Sequence, residues 1–363
     1  MPSTDIVRTI RTKIQKQLLP SVPSRWRKQL SFGLQAYGLK AFQSAAGNAR
    51  MTAKKPQTGI RKSERLFQNR KLADTLGTVF DSLDLVKPSS FVNVDHSDMN
   101  GLMALVGAIQ TRLGRALPCF IETTYSDRLS ARKDAPPRKR ALRKARAEER
   151  QFRSLTGHTI DALQDFADRL GFWPKLVFDR GFCNESIVEH LQAAGATFYI
   201  RVKAGRYVQF DGQKTKIKIQ DLRQKDATIQ LYGLTLRVIR STKDGKNDEP
   251  WYILTNDMGS SRSKIVRIYY YRFEIEETFR DIKHIFEFKR TRLNKPLSLK
   301  LLLWFVSLGI ALLYLATRPK RAPSYAAETE HSRKTHPKKQ TSWLRQAYEQ
   351  LQQASGQLLW GGG

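Results

Sequence analysis

The run LLLWFVSLGIALLYLA, residues 301–316, holds no charged residue and is bounded by Lys300 and Arg318. A helix that is apolar on every side must be buried on every side, in the core of a large fold or in a bilayer. The run is about four residues short of the roughly 20 that span a bilayer comfortably. It is read as a buried core helix, 298–316, and no membrane partner is expected. The chain has 363 residues, enough for one large domain or two ordinary ones, so it can bury a sizeable core. Its first residues, MPSTDIVRTIRTKIQKQLLP, lack the apolar centre of a signal peptide.

Upstream, the pattern alternates between strand and helix periods. FVNVDHS (91–97), MALVGAIQTR (103–112) and ALPCFIETTY (116–125) read as three strands in a meander. TIDALQDFADRLGF (159–172) reads as an amphipathic helix, PKLVFDRGF (174–182) as a strand running into a loop, ESIVEHLQAAG (185–195) as a helix and TFYIRVK (197–203) as a strand. Residues 205–257 then change texture. YVQF, KIKI, TIQLYGLTLRVIR and WYILT are short β segments between Gly and Asp turns, read as a β-rich insertion. This order predicts an α/β fold, a mixed sheet flanked by helices, with functional groups at strand ends. Residues 1–75 read as a basic helical region, 76–317 as the main domain, and 318–363 as a basic polar tail with a short helix near SWLRQAYEQLQQ. The charge run 128–153 is solvated, either helical or disordered.

Lys plus Arg number 64 against 33 acids, a net charge of +31. A chain this basic binds polyanions through counterion release, nucleic acid first and an anionic membrane as the rival. Cys119 and Cys183 alone give neither a four-cysteine zinc site nor a disulfide framework. Both are expected reduced in the core.

Within IYYYRFEIEETFRDIKH (268–284), Tyr269, Arg272, Glu276 and Lys283 recur at steps of three, four and seven. On one α-helix they fall within an arc of roughly 60°. The face is polar and joins a carboxylate to two cations and a phenol, which points to a metal and a phosphate. Two predicted strands end in aspartate, Asp95 after FVNV and Asp179 after KLVF. With Glu276 they make three carboxylates able to hold two hard divalent cations, Mg²⁺ or Mn²⁺ in its place. Two such ions activate water and stabilise a leaving 3′ oxygen in phosphodiester chemistry. Asp98 competes with Asp95, and Glu274 and Glu277 compete with Glu276, although helical phase favours Glu276.

Tyr269-x₂-Arg272-x₃-Glu276-x₆-Lys283 resembles the YREK signature of the bacterial insertion-sequence-four family of DDE transposases. VDHS around Asp95 and FDRGF around Asp179 look like that family's other two acidic motifs. The resemblance covers roughly residues 65–316. It implies a ribonuclease-H-like catalytic core with Asp95, Asp179 and Glu276 as metal ligands, and a β-rich insertion before the last catalytic helix. Tyr269, Arg272 and Lys283 would hold DNA phosphates, in keeping with their chemistry. WYILT resembles the strand whose tryptophan supports a flipped base, so Trp251 is a stacking candidate, with core packing as its alternative. Arg180, Arg201 and Lys203, at or after strand ends, are candidate backbone contacts.

The function implied is cut-and-paste transposition, with a hairpin step and strand transfer into target DNA. The expected partners are transposon ends, target DNA and a second copy in a synaptic homodimer, in the bacterial cytoplasm on the nucleoid. The alternatives are a metal nuclease that cuts without joining, and a non-catalytic DNA-binding descendant.

Overall fold

In a computed structural model, residues 3–39, 45–99, 101–125, 155–210, 215–241, 250–285, 293–317 and 342–355 are described. The run 128–153 and most of the tail 318–363 lie outside them. Ten strands form one sheet: β1 Phe91–Met99, β2 Leu102–Ile109, β3 Leu117–Tyr125, β4 Lys175–Phe178, β5 Phe198–Val202, β6 Tyr207–Phe210, β7 Lys216–Lys218, β8 Asp226–Leu231, β9 Leu234–Arg240 and β10 Tyr252–Thr255. Their spatial order is β3-β2-β1-β4-β5-β10-β9-β8-β6-β7. The predicted meander is present as antiparallel β1–β2–β3, and β4 and β5 run parallel to β1.

The β-rich stretch is not a separate body. β10 pairs antiparallel with β5, and β9, β8, β6 and β7 carry the same ladder outward. The reason is visible in the sequence of β10, whose Tyr252, Ile253, Leu254 and Thr255 are all buried. A strand buried on both faces belongs inside a sheet.

The helices are α1 Ser3–Lys13, α2 Ser24–Gly33, α3 Ala45–Thr52, α4 Pro56–Phe67, α5 Arg70–Asp81, α6 Leu155–Leu170, α7 Glu185–Ala193, α8 Arg262–Tyr270, α9 Phe273–His284, α10 Pro296–Thr317 and α11 Trp343–Ser355. Several start where the sequence supplies a cap. The Asn69 side chain accepts from Leu72 N (3.0 Å), and that of Asn184 from Ile187 N (3.1 Å). Each satisfies a backbone donor that the first helical turn leaves unpaired.

The apolar run lies within α10, which is long and apolar enough to cross a membrane yet is buried inside the fold. It packs against β3, α1, α5 and the turn Leu34–Gly38. At that turn a methyl group on Gly309 would sit 1.8 Å from the Gly38 carbonyl oxygen, so only glycine permits the crossing. The N-terminal helices are therefore not set apart from the main domain. Ile6, Ile10, Leu18 and Tyr37 share one continuous core with Leu301–Leu313 and the sheet. The boundary expected at 75/76 falls inside α5. Cys119 and Cys183 are free and buried, as expected.

Candidate active site

Alternation along β1 decides which aspartate faces the second layer of helices. Val92 and Val94 are buried in the main core, whereas Asn93 and Asp95 take the opposite face. Asp98 shares the parity of Val94, so it points away from Asp95. The parallel ladder pairs Val94 with Phe178. The next rung therefore sets Asp95 beside Asp179 on neighbouring strands, which are about 4.8 Å apart in a sheet. Beyond Asp179 the chain makes a short 3₁₀ turn, Arg180–Phe182. The His96 ring stacks on Phe182 at 4.7 Å and steadies that turn from the far face.

The third carboxylate arrives on a broken helix. The single helix expected over 268–284 is two, α8 and α9, separated at Tyr271 (φ −71°, ψ −2°). Across the break the backbone bonds tighten to three-residue steps, Arg272 N to Tyr269 O (3.0 Å) and Ile275 N to Arg272 O (3.2 Å). Side chains from the sheet cover two carbonyls there. Asn93 Nδ2 donates to Tyr271 O (3.1 Å), Gln110 Nε2 to Ile268 O (3.0 Å), and Gln110 Nε2 also to Asn93 Oδ1 (2.7 Å). The break lets α8 lay Ile265, Ile268 and Tyr269 on one apolar cluster while α9 turns a polar face to the loop between β2 and β3.

That polar face is extensively bonded. Glu274, 3% exposed, accepts from Thr111 N and Gly114 N at 2.8 Å each. Thr278 exchanges hydrogen bonds with both backbone groups of Ala116, and Arg115 Nε donates to Asp281 at 2.6 Å. Glu277 pairs with Arg115 (3.4 Å) and Arg280 (2.5 Å). Glu274 and Glu277 are thus committed to holding the helix in place, and Glu276 is the carboxylate left facing the strand ends.

Arg272 occupies the middle of the site. It is 5% exposed, its Nη2 lies 2.6 Å from Glu276 Oε1, and its guanidinium sits 5.7 Å from the Tyr269 ring and 5.0 Å from the Phe273 ring. Burial works against its charge, but Tyr269, Glu276 and Asp179 outweigh burial and raise its pKa. Asp95 is pushed up to about 6. Burial is the main cause, with Asp179 and Glu276 adding to it; Arg272 and the His96 N–H oppose. The three carboxylates therefore feel one another across a single buried cation.

Among the described residues, no three His, Cys, Asp or Glu side chains are gathered tightly enough to hold a metal ion. The donors are nonetheless of the right kind, the hard carboxylate oxygens of Asp95 on β1, Asp179 just past β4 and Glu276 on α9.

The remaining expected residues are scattered in depth. Tyr269 is buried, with its hydroxyl beside Arg272 and no well-formed hydrogen bond; burial, then Asp179, raises its pKa. Trp251 is 8% exposed and edge-on to Tyr269 at 5.5 Å. Lys283 is half-buried in the last turn of α9, Arg201 half-buried on β5, and Arg180 and Lys203 are exposed. The accessible aromatic beside the carboxylates is Phe273, 42% exposed and 6.0 Å from the Trp251 ring. Sequence pattern did not single it out, because it lies off the polar face.

With this geometry in hand, comparison with known proteins gives three results. The transposase DDE domain family matches residues 154–313, a span that includes Asp179 and the Tyr269–Lys283 segment and begins after Asp95. This match supports a DDE transposase, and such a domain suggests an enzyme that cuts and joins DNA. A comparison with curated protein sequences gave no match. Among solved structures, the cryo-EM structure of a piggyBac transposase synaptic complex with hairpin DNA is similar at 11% identity and a TM-score of 0.39, covering 96% of this chain and 77% of that one. The crystal structure of endonuclease V from Bacillus subtilis is similar at 10% identity and a TM-score of 0.28, covering 61% and 94%. At these scores the two likenesses establish nothing about this chain's activity.

Proposed function

We propose that the chain is a cut-and-paste DNA transposase of the insertion-sequence-four type with a ribonuclease-H-like catalytic core. The observation that carries this reading is a shared buried cation: Arg272 bonds Glu276 and interacts with Asp95 on β1 and with Asp179 just past the parallel neighbour β4. The strand order β3-β2-β1-β4-β5 and the spacing of Tyr269, Arg272, Glu276 and Lys283 support it.

Asp95, Asp179 and Glu276 would hold divalent cations, Mg²⁺ or Mn²⁺, whose chemistry when bound is to activate a water or a 3′ hydroxyl and to stabilise the leaving oxygen. Once Glu276 turns away, the Arg272 fork is free to take two oxygens of a phosphate, and Lys283 adds a point charge about two turns past Glu276. Phe273, and Trp251 if it moves, offer stacking surfaces at the cut. The same reading includes a hairpin intermediate, strand transfer to target DNA, a synaptic homodimer, end recognition by the helices within 1–75, and a cytoplasmic, nucleoid-associated location.

The test is nicking of labelled element ends taken from the DNA flanking the gene, with Mg²⁺ or Mn²⁺. Wild type should nick and join, whereas Asp95→Asn, Asp179→Asn and Glu276→Gln should bind ends without nicking. Nicking without joining would reduce the reading to a nuclease. Undiminished nicking by Asp95→Asn would overturn the site.

A further inference from the structure

A cleft of about 720 Å³ opens between the start of α7 at Glu185, the end of β5 and the outer strands β6, β7 and the β8–β9 turn. Its lining includes Lys203, Arg206 and Lys216 against one carboxylate, Glu185. Two tyrosines stand among these cations. Tyr207, at the start of β6, is 56% exposed, the most exposed of the large hydrophobic side chains among the described residues. Lys218 Nζ lies 5.8 Å from its ring centroid. Tyr232 has Arg206 at 5.8 Å over its ring.

Tyr232 is held there against its backbone preference. It is the first central residue of the β8–β9 hairpin turn, with φ +55°, followed by Gly233 at φ +72°. Such a turn favours Asn, Asp or Gly at both positions, and a bulky aromatic there is strained. In return the Tyr232 ring lines the cleft, and its hydroxyl reaches Cys183 O at 3.4 Å, four residues beyond Asp179. The cleft is thus tied to the loop that Asp179 begins.

Cations interleaved with accessible aromatic faces in a groove are the chemistry that holds single-stranded nucleic acid: phosphates on the cations, bases stacked on the rings. We infer that this cleft seats unpaired nucleotides of the DNA strand next to the cut, with a base stacked on Tyr207 and phosphates on Lys203, Arg206 and Lys216. The inference rests on the transposase reading for the identity of the strand, but the binding chemistry stands without it. An unpaired strand suits the site better than a duplex, because inside a duplex both faces of each base are already stacked on neighbouring pairs and none is free for Tyr207.

The test uses the full chain and a short fluorescein-labelled oligothymidine, read by anisotropy over a salt series. Tyr207→Ala should weaken oligothymidine binding about tenfold, the order expected for one lost stacking contact, whereas Tyr207→Phe should bind like wild type. Arg206→Ala and Lys216→Ala should each lower the salt slope by about 0.7. Affinity for polyglutamate should not respond to Tyr207→Ala. Thermal melting of both Tyr207 variants checks that each is folded. If Tyr207→Ala binds oligothymidine as wild type does, or loses polyglutamate equally, the inference fails. A chain that nicks element ends while Tyr207→Ala binds normally keeps the transposase reading and loses this one. A chain that nicks nothing while Tyr207→Ala loses oligothymidine does the reverse.

Discussion

Helix α10 buries leucines and helix α9 buries carboxylates. In α10 the buried side chains are almost all aliphatic or aromatic, and close approach at Gly309 lets the helix press on backbone. In α9, Glu274, Thr278 and Asp281 are as deeply placed, and each is tied to the segment 111–116 by named hydrogen bonds. Burial of methylenes is favourable wherever they go. A buried carboxylate is tolerable only with its donors in place. The apolar helix is therefore seated by shape, at Gly309 above all, and the polar helix by paired hydrogen bonds.

The comparison is best broken by separating activity from stability. On the proposed reading, in which Glu276 is a metal ligand, Glu276→Gln should lower nicking by roughly a thousandfold or more while the melting temperature moves little, because the amide oxygen can still accept from Arg272. Gly309→Leu should do the opposite and prevent stable folding, since even one added carbon meets the Gly38 carbonyl and overpacking costs about 1–3 kcal/mol before any further atoms are added. Should the Gly309 variant fold normally, the close crossing of α10 is wrong.

A smaller effect tests the seat of α9. Glu274→Ala leaves the backbone donors of 111–114 without their acceptor and should cost about 2–4 kcal/mol in chemical denaturation. Acidity sharpens this. Burial raises Glu274 to about 7 from 4.5, against the pull of the N–H groups of 111–114. A raised acid favours the folded state while protonated. Stability from this group is therefore full below pH 4.5 and is lost as pH rises through 7, by about 3 kcal/mol in all. Melting between those limits should fall with pH in wild type and fall less steeply in Glu274→Gln, where Asp81 and Asp95, both raised to about 6, still contribute. The least effect belongs to Glu277→Ala. It removes a partly exposed pair while Arg115 keeps Asp281, so the change should stay below about 1 kcal/mol.

The same contrast explains what the sequence made legible. The place of α10, the meander and the end of β4 before Asp179 followed from apolar runs and period-two alternation, which are local; β1, expected to end at Asp95, runs on to Met99 because its alternation continues through Ser97 and Met99, which are buried. Alternation also held the means to choose Asp95 over Asp98. The break at Tyr271 did not show, because Tyr, Arg and Glu at helical spacing continue across it without a proline or glycine. What brings the two segments to their seats is Asn93, Gln110 and Arg115, each more than 150 residues away in the chain. Polar partners at such separation leave no periodic trace. Phe273 and the depth of Trp251 were hidden for the same reason.

The unbroken ladder from β3 to β7 has a metric consequence. Asp95 in the middle of β1, Asp179 just past β4 and the root of the cleft at Lys203 just past β5 lie on three adjacent strands of one sheet. Strand spacing is fixed near 4.8 Å by hydrogen bonding, and no hinge interrupts the pairing of β5 with β10. A strand gripped at both places is gauged by a rigid caliper, so the cut should fall a constant number of nucleotides from the gripped base, whatever the sequence between them.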